Sequence, residues 1–320
     1  MDTIKCTNVQ DLANIKKLLP DSSCVVALGL FDGVHIAHRE LFKKARMIAE
    51  EKRLPFAVFT FFGENKQLKT TSDRIFSDSQ RLGIIEECGA DLSVIADFSL
   101  FIDMSKEEFV KNFLVDKLNT DTAVCGYNFR FGKGASGDSK ELSRLMAHYN
   151  RNCFIMDDFL YEGASVSSTR IRKLISEGSP REAAKLLGKP YFIEGTVLHG
   201  KGLGKGLGFP TVNLELNDFL LIPKVGVYAT VTEIDGRLFP AITNIGSCPT
   251  FGERSLHSES YILEFNGNLY GTKLRFYLID YLRDECKFKT QDDLILQINI
   301  DKNKALSIFE ELSWQEIGLK

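Results

Sequence analysis

The spacing of apolar residues changes character once along this chain, near residue 165, and that change limits the available folds more than any other feature. Before it, short apolar runs alternate with segments of helical period. Cys24 to Leu30 reads as a buried parallel strand. After a turn at Asp32-Gly33, a helix is expected from about His38 to Glu51, with Leu41, Phe42, Ala45, Ile48 and Ala49 as its apolar stripe. Pro55 to Phe62, Leu92 to Ala96, Thr122 to Cys125 and Cys153 to Met156 repeat the strand pattern. Asp78 to Cys88 and Lys140 to Tyr149 repeat the helical one. The capping box Ser105-x-x-Glu108 opens a further helix carrying Phe109, Val110, Phe113, Leu114 and Leu118. Such alternation indicates an open, Rossmann-like α/β parallel sheet, which binds ligands beyond the C-terminal ends of its strands.

Past residue 165 the pattern becomes β. Two short helices come first, Arg170 to Glu177 and Pro180 to Leu187, stopped by Gly178 and Gly188. The domain boundary is placed there, giving domains 1–187 and 188–320. Phe192 to Leu198, Gly226 to Ile234, Leu238 to Asn244, Glu259 to Phe265 and Leu274 to Ile279 then follow as strands. Asp235-Gly236 signals a two-residue hairpin turn. Consecutive short strands with turn signals predict a small antiparallel β-barrel. Thr290-x-x-Asp293 opens a terminal helix with Leu294, Ile298, Leu306 and Phe309 among its apolar positions.

Composition narrows the function classes. A length of 320 residues suits two domains, and a formal net charge of −3 argues against nucleic-acid binding through bulk electrostatics. Seven cysteines with no C-x-x-C pair suggest reduced thiols and a cytoplasmic protein. The first twenty residues lack a signal-peptide pattern, and no window is apolar enough to span a membrane.

Four stretches can carry chemistry. Glycine occupies every second position from Gly200 to Gly208, with Lys201 and Lys205 between, and Pro210, Thr211 and Asn213 follow at once. Mobile backbone N–H groups, cations and two oxygen ligands suit a polyphosphate with Mg²⁺. A flexible surface loop followed by an ordinary strand is the alternative. Gly195-x-x-x-x-Gly200-Lys201 lacks the Ser or Thr of a phosphate-binding P-loop, and no G-x-G-x-x-G is present. Phe31-Asp-Gly-Val-His35-Ile-Ala-His38 sets two histidines three apart at a helix start, where they suit phosphate oxygens; a plain helix cap is the alternative. Ser167-Ser168-Thr169-Arg170-x-Arg172 offers hydroxyls and guanidinium groups at a second helix start, or simple N-capping with a basic face. Gly126 to Gly134 follows a strand and lines the same cleft, or packs its aromatics on the core.

Together these residues resemble the two-domain prokaryotic riboflavin kinase/FAD synthetases over nearly the whole chain. The second-domain pattern is Gly204 to Leu214, Gly226 to Ala229, Asn244 to Phe251, Glu259 to Phe265, Leu269 to Gly271 and Leu282 to Phe288. In the first domain it is Gly29 to His35, Gly126 to Gly132 and Ser167 to Arg172. The resemblance implies a nucleotidylyltransferase-type α/β domain joined to a flavokinase barrel with a terminal helix. It implies riboflavin, FMN and ATP as substrates and FAD as the final product. Thr211 and Asn213 would hold Mg²⁺–ATP beneath Gly204, Lys205, Gly208 and Pro210. Glu259 would accept the proton of the riboflavin 5′-hydroxyl, with Arg283 near flavin and nucleotide. In the first domain Gly29, Phe31, Asp32, Gly33, His35, His38, Asn128, Ser167, Ser168, Thr169 and Arg172 would bind nucleotide and assist adenylyl transfer.

The sequence departs from the family pattern at several positions. Ala37 replaces the glycine of H-x-G-H, and Asn128 replaces an aspartate. Phe62-Gly63-Glu64-Asn65 replaces Asp-Pro-His-Pro, while Tyr261 and Glu264 stand for His and Asp. The leading expectation is an enzyme making FMN and then FAD. A kinase that has lost adenylylation and a flavin-binding regulator are the alternatives; oligomeric state is open.

Overall fold

The computed structural model describes residues 1–18, 22–62, 74–199, 208–215, 220–248 and 255–312. These divide into two compact units, Met1–Ser168 and Thr169–Lys320. In chain order the first unit runs β1 (Asp2–Cys6), α1 (Val9–Leu18), β2 (Cys24–Leu28), α2 (Ile36–Lys52), β3 (Phe56–Phe61), α3 (Asp78–Glu87) and β4 (Leu92–Ala96). It continues with α4 (Lys106–Glu108), a π-helical stretch Phe109–Val115, β5 (Thr120–Gly126), the short pair β6 (Arg130–Phe131) and β7 (Gly137–Asp138), and α5 (Ser139–His148). β8 (Asn152–Met156) and the small hairpin β9 (Leu160–Tyr161) with β10 (Ala164–Ser165) complete it.

Six of these strands form one parallel sheet in the order β1-β4-β3-β2-β5-β8. Every residue of β2 and β4 is buried, as expected for parallel strands covered on both faces. The chain builds outward from β2 through β3 to β4, then returns to lay β5 on the other side of β2. The strand order therefore reverses between β2 and β5, and that switch point is where open α/β sheets bind ligands. Behind it, Phe59 of β3 packs among Phe101, Phe109 and Phe113. The Ser105–Glu108 capping box forms as expected, but the helix it opens widens into π geometry at Phe109.

The second unit begins inside α6 (Ser168–Ser176), continues with α7 (Pro180–Leu187) and then forms a closed barrel. Its strands are β11 (Phe192–Leu198), β12 (Thr211–Glu215), β13 (Gly226–Ile234), β14 (Arg237–Cys248), β15 (Ser255–Ile262) and β16 (Lys273–Arg283), in the order β11-β12-β15-β14-β13-β16. The division at Ser168 lies ahead of the boundary at 187 because both helices lie with the barrel. The Lys224 N–H donates to Ile175 O at 3.2 Å, and Arg181 pairs with Asp280 at 2.8 Å. Asp235 and Gly236 take φ of 50° and 75° in the β13–β14 turn, the geometry the hairpin signal calls for. α8 (Gln291–Glu311), opened by the Thr290–Asp293 capping box, lays Ala305 and Phe309 against Val227, Ala229, Val231, Ile242 and Ile279 on the outside of the barrel. The opposite, inward face carries hydroxyls. Thr230, Thr243 and Ser260 are fully buried and joined by hydrogen bonds of 2.7 and 2.8 Å.

Candidate active sites

In the barrel, strand register alone assembles a site. Asn213 on β12 faces Glu259 on β15, Glu259 faces Asn244 on β14, Asn244 faces Val227 on β13, and Val227 faces Arg283 on β16. Paired residues share a face, and so do residues two apart on one strand. Thr211 therefore joins the row, on the side that α8 covers further along. Its hydroxyl donates to Glu259 Oε1 at 2.7 Å. A hydroxyl, an amide and a carboxylate clustered this closely form an oxygen set that suits Mg²⁺, which keeps waters and phosphate oxygens as its other ligands. Among the described residues no group of three His, Cys, Asp or Glu side chains forms a metal site.

Acidic residues outside the row hold two of its members, Asn244 and Arg283. Asn244 Nδ2 donates to Glu285 Oε1 at 2.9 Å, and the Glu285 carboxylate fills the place a side chain at Gly246 would take. Arg283 stands three strands from Glu259, its guanidinium bound to Asp301 of α8 by contacts of 2.8 to 3.1 Å. Asp301 is 1% exposed and also accepts from Gln297 at 2.9 Å. Arg283 thus joins the terminal helix to the row. Asp301 was detectable as an acid on the helix face that carries Ala305 and Phe309. Gly208 takes φ of 86° just before β12, and Pro210 is exposed. Lys201, Gly204 and Lys205 lie outside the described residues.

The first unit builds its site from loops at the switch point. Gly29 to His35 leaves β2, and Gly126 to Gly132 leaves β5, so the two motifs come from the strands that flank the reversal. The first loop is strained. Phe31, Gly33 and Val34 take φ of 50°, 82° and 41°, and a β-branched residue in that region costs energy that the surroundings must hold in place. Gly29 is required here for packing, since a Cβ would lie 2.8 Å from the Phe31 ring. Asp32, 3% exposed, accepts the Ile75 N–H at 3.2 Å, and its backbone oxygen accepts the Ser168 hydroxyl at 2.8 Å. Ser168 is thereby drawn to the loop. Ser167 is half-buried, while Thr169, exposed, and Arg172, half-buried, fall in the second unit. Asn128 is exposed, its Oδ1 3.2 Å from where a Cβ on Gly126 would sit.

His35 is the N-cap of α2, and its Nδ1 accepts the His38 N–H at 3.4 Å. The two rings stack at 3.6 Å, with Phe31 edge-on to His38 at 5.2 Å. Burial holds His35 down to about 4. Burial, reinforced by His35 and by the charge of Arg81, holds His38 well below its ordinary range. Both imidazoles are neutral at pH 7. Because Nδ1 of His35 accepts, the proton of its neutral ring sits on Nε2, where it can donate. Of the segment Phe62 to Asn65, only Phe62 lies within the described residues.

A parallel sheet with a phosphate-suited loop at its switch point, joined to a barrel that clusters Thr211, Glu259 and Asn213, defines a two-domain, nucleotide-using transferase. Residues 19–170 match the family described as FAD synthetase, and residues 187–309 that described as riboflavin kinase. The bifunctional riboflavin kinase/FMN adenylyltransferase of Bacillus subtilis (strain 168) is 32% identical over 323 residues, covering 98% of this chain and 99% of that protein. The protein so named in Listeria monocytogenes is 34% identical over 301 residues, covering 91% and 94%. A solved structure described as a macrolide-efflux protein from Streptococcus pneumoniae has 30% identity and a TM-score of 0.86, covering 98% of this chain and 100% of that one. No helix among the described residues is long and apolar enough to cross a membrane. The chain belongs to the bifunctional riboflavin kinase/FMN adenylyltransferase family.

Proposed function

We propose that the barrel phosphorylates riboflavin to FMN with ATP, and that the parallel sheet transfers AMP from a second ATP to FMN, yielding FAD and pyrophosphate. The observation that carries the reading is the Thr211–Glu259 contact of 2.7 Å with Asn213 directly opposite Glu259. In the first reaction the riboflavin 5′-oxygen attacks the γ-phosphorus, the bond to the β–γ bridging oxygen breaks, and Glu259 takes the hydroxyl proton. Thr211 and Asn213 would hold Mg²⁺, which when bound neutralises charge on the phosphates. Thr211 also steadies the base, and positioning with electrostatics supplies most of the acceleration. Arg283, held by Asp301, supports the far end of the same row.

In the second reaction an FMN phosphate oxygen attacks the α-phosphorus of ATP and pyrophosphate leaves, so no enzyme nucleophile is needed. His35 and His38, kept neutral by burial, donate to phosphate oxygens without adding a charge that must be neutralised. The Val34 N–H closes the turn onto Phe31 O at 3.2 Å, and Ser168 fixes Asp32 within the same loop. Six cysteines among the described residues are free thiols, which supports a reducing, cytoplasmic setting.

Purified protein incubated with riboflavin, ATP and Mg²⁺, with chromatography of the products, tests the reading. FMN together with FAD is expected. FMN alone would mean that the sheet's site does not turn over, and untouched riboflavin would sink the kinase assignment.

A further inference from the structure

We propose that Arg81, on α3, is a positioning residue for adenylyl transfer: it fastens the chain leaving β2 and β3 and so sets the loop that carries His35 and His38. The inference rests on the adenylyl-transfer reading of that loop.

Arg81 is 0% exposed, and its contacts converge on the mouth of the sheet. Nη1 donates to Leu30 O and to Thr60 Oγ1, the latter at 2.9 Å. Nη2 donates to Phe61 O at 2.5 Å and to Asp78 Oδ1 at 2.7 Å. Thr60 closes the ring by donating to Leu30 O at 3.0 Å. Leu30 is the residue before Phe31, where the strained turn begins, and Phe61 ends β3. One planar fork therefore holds two neighbouring exits of the sheet at fixed separation, which a lysine, with a single donor point, cannot do. Just ahead of the helix, the Ile75 N–H on Asp32 makes a second tie to the same loop. A turn with Phe31 and Val34 at positive φ persists only where its surroundings over-determine it. Arg81, Thr60 and Ile75 supply that constraint. Burial pushes Arg81 down to about 10, so the guanidinium stays charged at pH 7.

The variants Arg81→Lys and Thr60→Val, in the full chain, test this. Kinase turnover in the barrel reports that the protein is intact. With only five histidines in the chain, ring NMR of histidine-labelled protein separates local from global change. His148 on α5 reports on the first unit as a whole, and His35 and His38 report on the loop. Arg81→Lys should lower kcat for FAD formation from FMN about 10²-fold with the KM for ATP within threefold, since misplacement by about 1 Å costs that much. Thr60→Val should give a smaller loss of the same kind. In both, the His35 and His38 signals move while His148 stays. FAD formation within threefold of the parent in both variants overturns the proposal. So do unmoved His35 and His38 signals, or a His148 signal shifted to its unfolded position in both. A parent that makes no FAD overturns the adenylyl-transfer reading along with this one; a parent that makes FAD beside fully active variants overturns this one alone.

Discussion

In the barrel, Asn213, Glu259, Asn244 and Arg283 are placed by strand register; in the sheet, His35 and His38 are placed by a loop in which Phe31, Gly33 and Val34 take positive φ. Register is a property of whole strands, and a slip of one residue would turn every side chain to the other face. Local substitutions therefore leave the barrel's row aligned. A strained turn has no such redundancy, and its geometry depends on a few buried contacts such as Asp32 to Ile75 and Arg81 to Leu30. The proposed kinase site is therefore expected to fail through its chemistry and the proposed adenylyl site through its geometry.

The largest expected effect separates the two chemically. Glu259→Gln removes the proton acceptor and should depress FMN formation about 10³-fold while FAD synthesis from supplied FMN is unchanged. Equal losses in both assays would refute independent sites. His38→Ala should do the reverse, lowering FAD formation about 10²-fold with riboflavin phosphorylation intact, as followed by product chromatography. A third expectation concerns pH. The unfolded chain binds protons at His35 and His38 near pH 6.5, whereas folding holds His35 down to about 4 and His38 well below its ordinary range. Their folded neutral state carries no penalty above pH 6.5, and stability of the first unit falls as pH drops toward 4. For His35 alone the loss is about 3 kcal/mol at pH 4. Denaturation midpoints recorded across that range should slope in the parent and slope less in His35→Gln, where His38 remains; a flat parent curve would contradict the burial of these rings.

The smallest effect sharpens the contrast with paired glycines. In Gly29→Ala the new methyl would sit 2.8 Å from the Phe31 ring, which touches His38, so FAD formation should fall about tenfold. In Gly246→Ala the clash is with the Glu285 carboxylate, the far end of an exposed side chain that can swing away from Asn244, and FMN formation should stay within threefold. Initial rates on the two variants decide it, and equal sensitivity would remove the distinction between loop and ladder.

Much of this architecture was legible because local chemistry and final structure agree. Phe192–Leu198 and Gly226–Ile234 announce themselves by composition, and the caps at Ser105 and Thr290 and the turn at Asp235-Gly236 by their own hydrogen-bonding needs. β1 and α1 were not legible. β1 is a sheet-edge strand that buries only Ile4 and Cys6, and α1 buries only Leu12 and Ile15 among charged neighbours. The start of β15 was hidden for another reason. Ser258 and Ser260 face inward, where an apolar alternation would ordinarily be sought. Thr211, Asn213 and Glu259 were nameable from motif resemblance, but their adjacency depends on the pairing of β12 with β15, forty-eight residues away for Thr211 and Glu259. Arg81 and Asp301 carried a faint signal, a charge on the apolar side of a helix, and their partners lie on other elements.

The tie between Arg283 and Asp301 also bears on the order of assembly during synthesis. The parallel sheet has all its strands once Met156 has left the ribosome, so it can fold while the barrel is still being translated. The row in the barrel has to wait: β11 must find β16, and Arg283 meets its carboxylate only after the middle of α8 has emerged. A nascent chain halted short of residue 301 would carry a finished first unit beside an unfinished second.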